Sequence, residues 1–154
     1  MKVAIDADTN GLELKKVLVK FLQDEKVDVR DLAYVDSHTG CDYPDVAYNL
    51  AKQIRDGLHD RGILICGTGL GMAMCANKVQ GVFAGSCTDI YAAERLIKSN
   101  NARVLTLGSQ VTGPESAKMI IHAWIKSEFQ GGRSLPKVQR MVEIEQECFD
   151  NAKR

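Results

Sequence analysis

Five times along this chain a short apolar run is followed by a longer segment whose apolar residues recur every three or four positions. Lys2–Ala7 has the composition of a buried strand, and Leu12–Asp24 then places Leu14, Val17, Leu18, Phe21 and Leu22 on one helical face. Val27–Val35 reads as a second strand. A polar loop, Asp36–Tyr43, leads from it to Pro44 and a helix with Val46, Ala47, Leu50, Ala51, Ile54 and Leu58 on one face. Ile63–Cys66 with the helix-forming Met72–Lys78, Val82–Cys87 with Ile90–Lys98, and Val104–Leu107 with Glu115–Lys126 complete the series. Strands that alternate strictly with helices are joined by crossovers, so the pattern predicts an α/β fold with a doubly wound, parallel, five-stranded sheet. After the breaker segment Gln130–Pro136, a last helix over about 136–151 carries Val138, Met141, Val142, Glu145, Cys148 and Phe149 at helical spacing. Five units already cover both faces of such a sheet. Two readings of the last stripe therefore stay open: docking onto a second subunit, or packing back on its own domain.

At 154 residues the chain fits one domain with a core of useful size. Twenty basic and twenty acidic side chains cancel, which removes the electrostatic case for nucleic acid or an anionic membrane as the main partner and points to a small ligand. The five cysteines are odd in number and form no CxxC pair, and Met1–Asp6 has no signal-peptide apolar core. A reducing cytoplasm follows as the expected compartment. No run is apolar enough for a membrane span.

In a doubly wound sheet ligands bind beyond the carboxyl ends of the strands. The residues expected there are Asp8–Gly11, His38–Tyr43, Cys66–Gly71, Thr88-Asp89 and Gly108–Gln110. Gly67, Gly69 and Gly71 alternate between a strand and a helix start, so backbone amides can approach a ligand and favour an anion or a developing oxyanion. A thiol at that edge, Cys66, is biased towards thiolate. The competing reading is an inert core cysteine. The fit to a dinucleotide fold is poor, because the third glycine comes too early for GxGxxG and the loop lies in the third unit, although Asp89 stands near the spacing of a ribose-binding acid. No Gly-Lys-Ser/Thr follows the glycines, so a P-loop fits less well still. Of three histidines, His59 reads as a solvated helix end and His122 as a structural residue inside a helix, while His38 sits in a loop that can approach the site. No His or Cys pair has zinc-like spacing. What remains is acid–base or thiol chemistry without metal or cofactor.

Ile65–Gly71 with Ala76-Asn77-Lys78, Asp42-Tyr43-Pro44, Asn100-Asn101-Ala102 and Gly131-Gly132-Arg133 resemble, in this order, the type B ribose-5-phosphate isomerase family, which includes the galactose-6-phosphate isomerase subunits. The resemblance runs from the first strand to the last helix. It implies a Rossmann-like fold, a homodimer or homotetramer with sites at subunit interfaces, and cofactor-free aldose–ketose isomerisation of a phosphorylated sugar. That reaction removes a proton beside a carbonyl and stabilises an enediolate. By resemblance Cys66 is the base, held near Thr68, and the amides of Gly67 to Gly71 steady the oxyanion. Asp8, Asp42 and Tyr43 match positions lining the sugar, with Thr9, Ser99 and Asn100 at further substrate-facing positions. Arg133 matches a phosphate-binding arginine. Lys137 stands where the family usually has another, keeping the charge but losing the bidentate fork.

Three departures bear on the substrate. Asp8-Thr9 replaces the usual Asp-His, Ser99-Asn100 replaces His-Asn, and Gln110 stands where many members carry arginine. The histidine absent at Ser99 is the one the family assigns to opening a furanose ring, and serine cannot do that work near neutral pH. A tetrose 4-phosphate closes no such ring, because phosphate occupies the oxygen required. The expected substrate is therefore erythrose 4-phosphate or erythrulose 4-phosphate. Two alternatives stand beside it: ribose 5-phosphate, with His38 or water opening the ring, and a non-catalytic sugar-phosphate-binding subunit.

Overall fold

A computed structural model describes residues 1–151. The elements run β1 (Lys2–Ala7), α1 (Leu12–Asp24), β2 (Asp28–Asp31), α2 (Tyr34–Ser37), α3 (Tyr43–Arg55), β3 (Arg61–Cys66), α4 (Leu70–Ala76), β4 (Ala84–Ser86), α5 (Ile90–Lys98), β5 (Val104–Gly108), α6 (Pro114–Ile125), a 3-10 turn at Gly132–Ser134, and α7 (Leu135–Asn151). All strand pairings are parallel, in the order β2-β1-β3-β5-β4. The alternation of short apolar runs with helical stripes thus gives the doubly wound sheet expected of it.

Side chains alternate across the sheet and both faces are covered, which is why its central strands read as near-continuous apolar runs. On one face Val3, Ile5, Ile63, Ile65, Leu105 and Leu107 pack with Leu18 and Leu22 of α1 and Ile121 and Trp124 of α6. On the other, Ala4, Leu64 and Val104 meet Val46, Leu50 and Ile54 of α3 and Met72 of α4. Arg61, itself buried at the start of β3, donates to the carbonyls of Trp124, Ile125 and Ser127, closing the C-terminal end of α6.

Several boundaries differ from the sequence expectation. β2 ends at Asp31 instead of running to Val35. Asp31 Oδ1 takes the Ala33 N–H, Ala33 adopts a positive φ of 46°, and the buried Asp6 Oδ2 takes the Tyr34 N–H, which turns the chain into the short α2. Burial pushes the Asp6 carboxyl up, opposed by the Ala7 N–H and by Lys15, whose ammonium lies 3.5 Å away. The α3 helix stops at Arg55, so Leu58 leaves the expected stripe and is exposed. The α4 helix begins earlier, at Leu70, and β4 shrinks to Ala84–Ser86.

That short edge is protected. Asn77 Oδ1 accepts from the Ala84 N–H at 2.9 Å and its Nδ2 donates to the Ala84 carbonyl at 2.8 Å, so one carboxamide occupies the outward polar groups where a further strand would pair. Asn77→Ala should lower unfolding stability by about 1–2 kcal/mol, read by urea titration; an unchanged midpoint contradicts this role.

The last helix does not pack back along its stripe. Val138 is buried, but Val142, Ile144 and Phe149 stay largely exposed in the single chain. Farther along, the helix touches the body through polar contacts, from Gln80 to Gln146 and from the Gly81 N–H to Glu145.

Candidate active site

The strand order reverses between β1 and β3, and the loops leaving these two strands part there to form a crevice. A cavity of about 310 Å³ opens at this point, lined by Asp8, Asn10, Tyr43, Cys66, Gly67, Thr68, Gly71 and Gln110. Larger hollows lie elsewhere, including one along α6 around Phe21, Met119 and His122, and these are lined by no cysteine and by no glycine-rich loop.

Main-chain hydrogen bonds assemble the walls around the end of β3. The Asp8 N–H donates to the Ile65 carbonyl at 3.1 Å, Ser109 N–H to Cys66 at 2.8 Å, and Gln110 N–H to Gly67 at 3.0 Å. Ser109 Oγ donates to the Asn10 carbonyl, joining the loops after β1 and β5. Asp8, almost fully buried, uses Oδ1 to accept from the Asn10 and Gly11 N–H groups at 2.9 and 3.1 Å. This fixes the carboxylate in the cavity wall.

Cys66 closes β3 with 6 % of its surface exposed, and its Sγ accepts from the Gly69 N–H at 3.1 Å. Gly69 needs its glycine. Its φ is +81°, and a Cβ there would stand 2.9 Å from the Leu107 carbonyl carbon. Its own carbonyl accepts from the buried Thr106 Oγ1 at 2.8 Å. Thr68 is exposed at the loop tip and accepts from the Leu70 N–H at 3.4 Å. On the opposite wall the Tyr43 ring lies over Gly71, where a Cβ would come within 2.6 Å of the ring. Burial pushes another thiol, Cys87, up to about 11, and it lies in the core away from this cavity.

Of the residues proposed from sequence, Asp8, Tyr43, Cys66, Gly67, Thr68 and Gly71 meet round this cavity. Thr9 is exposed and does not line it. Asp42 caps α3: its carboxylate and that of Asp45 form a reciprocal capping box, and its effect on the site is to hold Tyr43 in place. His38 does not approach the cavity; its ring stacks on Tyr34 at 3.8 Å, with Nδ1 against the Tyr34 carbonyl. Asp89, the ribose-acid candidate of the dinucleotide reading, caps α5 through the Ala92 N–H. His59, expected to be solvated, is half-buried with Nε2 against Gln53 Oε1.

Ser99 and Asn100 are not brought to the cavity of their own chain. They follow α5 and precede β5, at the amino edge of the sheet, about 20 Å from its carboxyl edge for a six-residue strand. The segment carrying Arg133 and Lys137 leaves from the same edge: the Gln130 N–H donates to the Lys98 carbonyl. Both cations are exposed. Asn10 and Gln110 enter the lining without having been singled out as contacts. Their signal was positional, since both sit in loops at the carboxyl ends of β1 and β5. Among the described residues no three His, Cys, Asp or Glu side chains stand together as a metal would require, and no helix is long and apolar enough to cross a membrane.

A sequence model of the family described as Ribose/Galactose Isomerase matches residues 3–141. A D-erythrulose-4-phosphate isomerase of Pectobacterium atrosepticum is 50 % identical over 141 residues, 92 % of this chain and 93 % of that one. A ribose-5-P isomerase B of Listeria innocua is 42 % identical over 146 residues, 95 % of this chain and 98 % of the relative. Among solved structures, ribose-5-phosphate isomerase B of Clostridium thermocellum superposes with a TM-score of 0.89 at 40 % identity, covering 96 % of this chain and 99 % of that one. Since the match extends over nearly the whole chain in sequence and in fold alike, the chain belongs to the ribose/galactose isomerase family and is an isomerase.

Proposed function

We propose that the chain interconverts the aldose and ketose forms of a phosphorylated four-carbon sugar, erythrose 4-phosphate and erythrulose 4-phosphate, through an enediolate and without a cofactor. The observation that carries this reading is the position of Cys66: its sulfur borders the cavity at the strand-order reversal, flanked by the amide-bearing loop Gly67–Gly71. As thiolate, Cys66 takes the proton from the hydroxyl-bearing carbon beside the carbonyl and returns it to the former carbonyl carbon, while the proton of that hydroxyl passes to the former carbonyl oxygen, so the carbonyl moves by one carbon. The loop amides face the oxygen on which negative charge develops, and the Thr68 hydroxyl is free to donate to the second oxygen.

No lysine, arginine or histidine borders the cavity, and its one charged group is the Asp8 carboxylate. A phosphate therefore requires cations from outside the single chain's cavity. We assign these to Arg133 and Lys137 of a second copy, in a homodimer or homotetramer whose sites lie at subunit interfaces. The exposed apolar residues of α7 and those near the site on α4, Leu70 and Met74, suit that assembly. Ser99 in place of a ring-opening histidine suits a substrate that forms no furanose, and the relative from Pectobacterium carries a four-carbon substrate in its name. Five free cysteines suit a reducing, cytoplasmic setting.

The test is a panel of tetrose, pentose and hexose phosphates incubated with purified protein in deuterated water. Tetrose phosphates are expected to turn over fastest, with deuterium appearing on the carbon beside the carbonyl. Much faster conversion of ribose 5-phosphate overturns the four-carbon assignment. Turnover of no sugar phosphate overturns the catalytic one.

A further inference from the structure

One hydroxyl interrupts the apolar run Val104–Leu107: Thr106, with none of its surface exposed. It pairs with Leu64 of β3 on one side and Ser86 of β4 on the other, and its side chain shares the face of Val104, which α3 and α4 cover. A hydroxyl buried there costs stability unless it is hydrogen-bonded. Among the described residues its side chain makes one such bond, donating to the Gly69 carbonyl at 2.8 Å.

That carbonyl has a partner without it. The Ala73 N–H donates to the Gly69 carbonyl at 3.1 Å, opening the first turn of α4. What the hydroxyl adds is direction. It draws the Gly69–Leu70 peptide onto β5, and because N–H and C=O point oppositely in a trans peptide, the Leu70 N–H turns away from the sheet. There it reaches Thr68 Oγ1 at 3.4 Å, which uses a lone pair of that hydroxyl and leaves its proton for a substrate oxygen. On the other side of the same glycine, the Gly69 N–H donates to Cys66 Sγ at 3.1 Å. A glycine with a φ of +81° is free to leave this geometry unless both of its ends are held. The end of β5 lies close enough to do the holding: a Cβ on Gly108 would stand 2.6 Å from Thr68 Cα.

We propose that Thr106 is a positioning residue for the isomerisation, whose hydroxyl locks the Gly69 peptide so that the loop presents the Gly69 N–H to Cys66 and the Thr68 hydroxyl to the substrate. It touches no reacting atom and acts through Gly69. The inference deepens the reading of Cys66 as the base and rests on it, but not on the four-carbon assignment.

The test compares wild type with Thr106→Val, which keeps the shape and removes the donor, and with Thr106→Ser, which keeps the donor. A methyl group cannot rest 2.8 Å from a carbonyl oxygen, since carbon contacts are best at about 3.5 Å or beyond, so the valine lifts the peptide. On the sugar phosphate that wild type converts fastest, kcat of Thr106→Val should fall about tenfold with KM within about threefold, and Thr106→Ser should return kcat to within about threefold of wild type. The second readout needs no substrate. Alkylation of Cys66 by iodoacetamide, followed by peptide mass against the exposed Cys148 of the same chain, should slow about fivefold or more in Thr106→Val, because a sulfur without the Gly69 N–H is less often thiolate. A threonine that only braces the fold gives the opposite sign, since a loosened fold exposes Cys66 and speeds the reaction. Wild-type kcat in Thr106→Val overturns the proposal. So does Cys66 alkylation as fast as in wild type or faster, or a Thr106→Ser variant no better than Thr106→Val. A thermal melt shows that each variant is folded, and Thr106→Ala, judged by the same outcomes, replaces the valine variant if that one does not fold. If Cys66→Ala keeps its activity, the reading of the base fails by itself, and the alkylation rates still decide whether Thr106 sets the geometry at Cys66.

Discussion

Cys66→Ala is expected to leave a folded protein whose kcat is lower by about 10²–10⁴-fold, the usual worth of a positioned general base. The fold survives because a small buried residue is exchanged for one slightly smaller at the edge of the core, where Cys66 packs among Ala4, Leu64 and Met72. Activity falls because no other group lining the cavity replaces the sulfur: Asp8 is committed to the Asn10 and Gly11 N–H groups, and no histidine lies there. Cys66→Ser should be nearly as inactive, a hydroxyl being a far weaker base. Cys87→Ala is the control. That thiol is buried among core residues and pushed up to about 11, so its loss should change kcat little. Steady-state kinetics with a circular-dichroism melt separates the cases, and Cys66→Ala activity within a few-fold of wild type contradicts the assignment of the base.

The second large effect belongs to Gly69→Ala. A left-handed conformation costs a residue with a Cβ about 1–2 kcal/mol, and here the added carbon also meets the Leu107 main chain at 2.9 Å, which cannot swing aside as the Ser86 hydroxyl can. The total loss should reach roughly 2–4 kcal/mol by denaturant titration. The relaxation that relieves the contact also moves the Gly69 N–H away from Cys66 Sγ and the loop amides away from the oxyanion. In the surviving folded protein kcat should drop by about 10²-fold, the cost of one misplaced oxyanion donor. A variant as stable as wild type would show that the loop has room that the geometry denies it. Gly57→Ala is a useful comparison: its φ is +73° with no atom within 4 Å of a Cβ, so it should show the conformational cost alone and unchanged kinetics.

Much of this is legible in the residues alone. The periods of apolar residues placed every helix but the short α2, and the Cys66–Gly71 loop announced itself by composition, since alternating glycines after a strand serve close backbone approach. The misreadings share one cause. Val27–Val35 looked like a continuous strand because propensity sees only neighbours, whereas the turn after Asp31 is made by Asp6, distant in sequence, capturing the Tyr34 N–H. His38 looked available to the site because nothing local reveals that it stacks on Tyr34. Asp42, expected at the sugar, also serves as the cap of α3, a role set by its neighbours Tyr43 and Asp45.

From the order of its residues alone, this chain determined its layers, the direction of its strands and the strand ends where its chemistry would collect, because periodicity and turn chemistry act over a few residues. Only the tertiary structure decided which of those ends face one another. It brought Asp8, Tyr43, Cys66 and Gln110 to one cavity and left Ser99 and Asn100 at the far edge of the sheet, because strand order is set by long-range packing of both faces and by hydrogen bonds that cross from loop to loop.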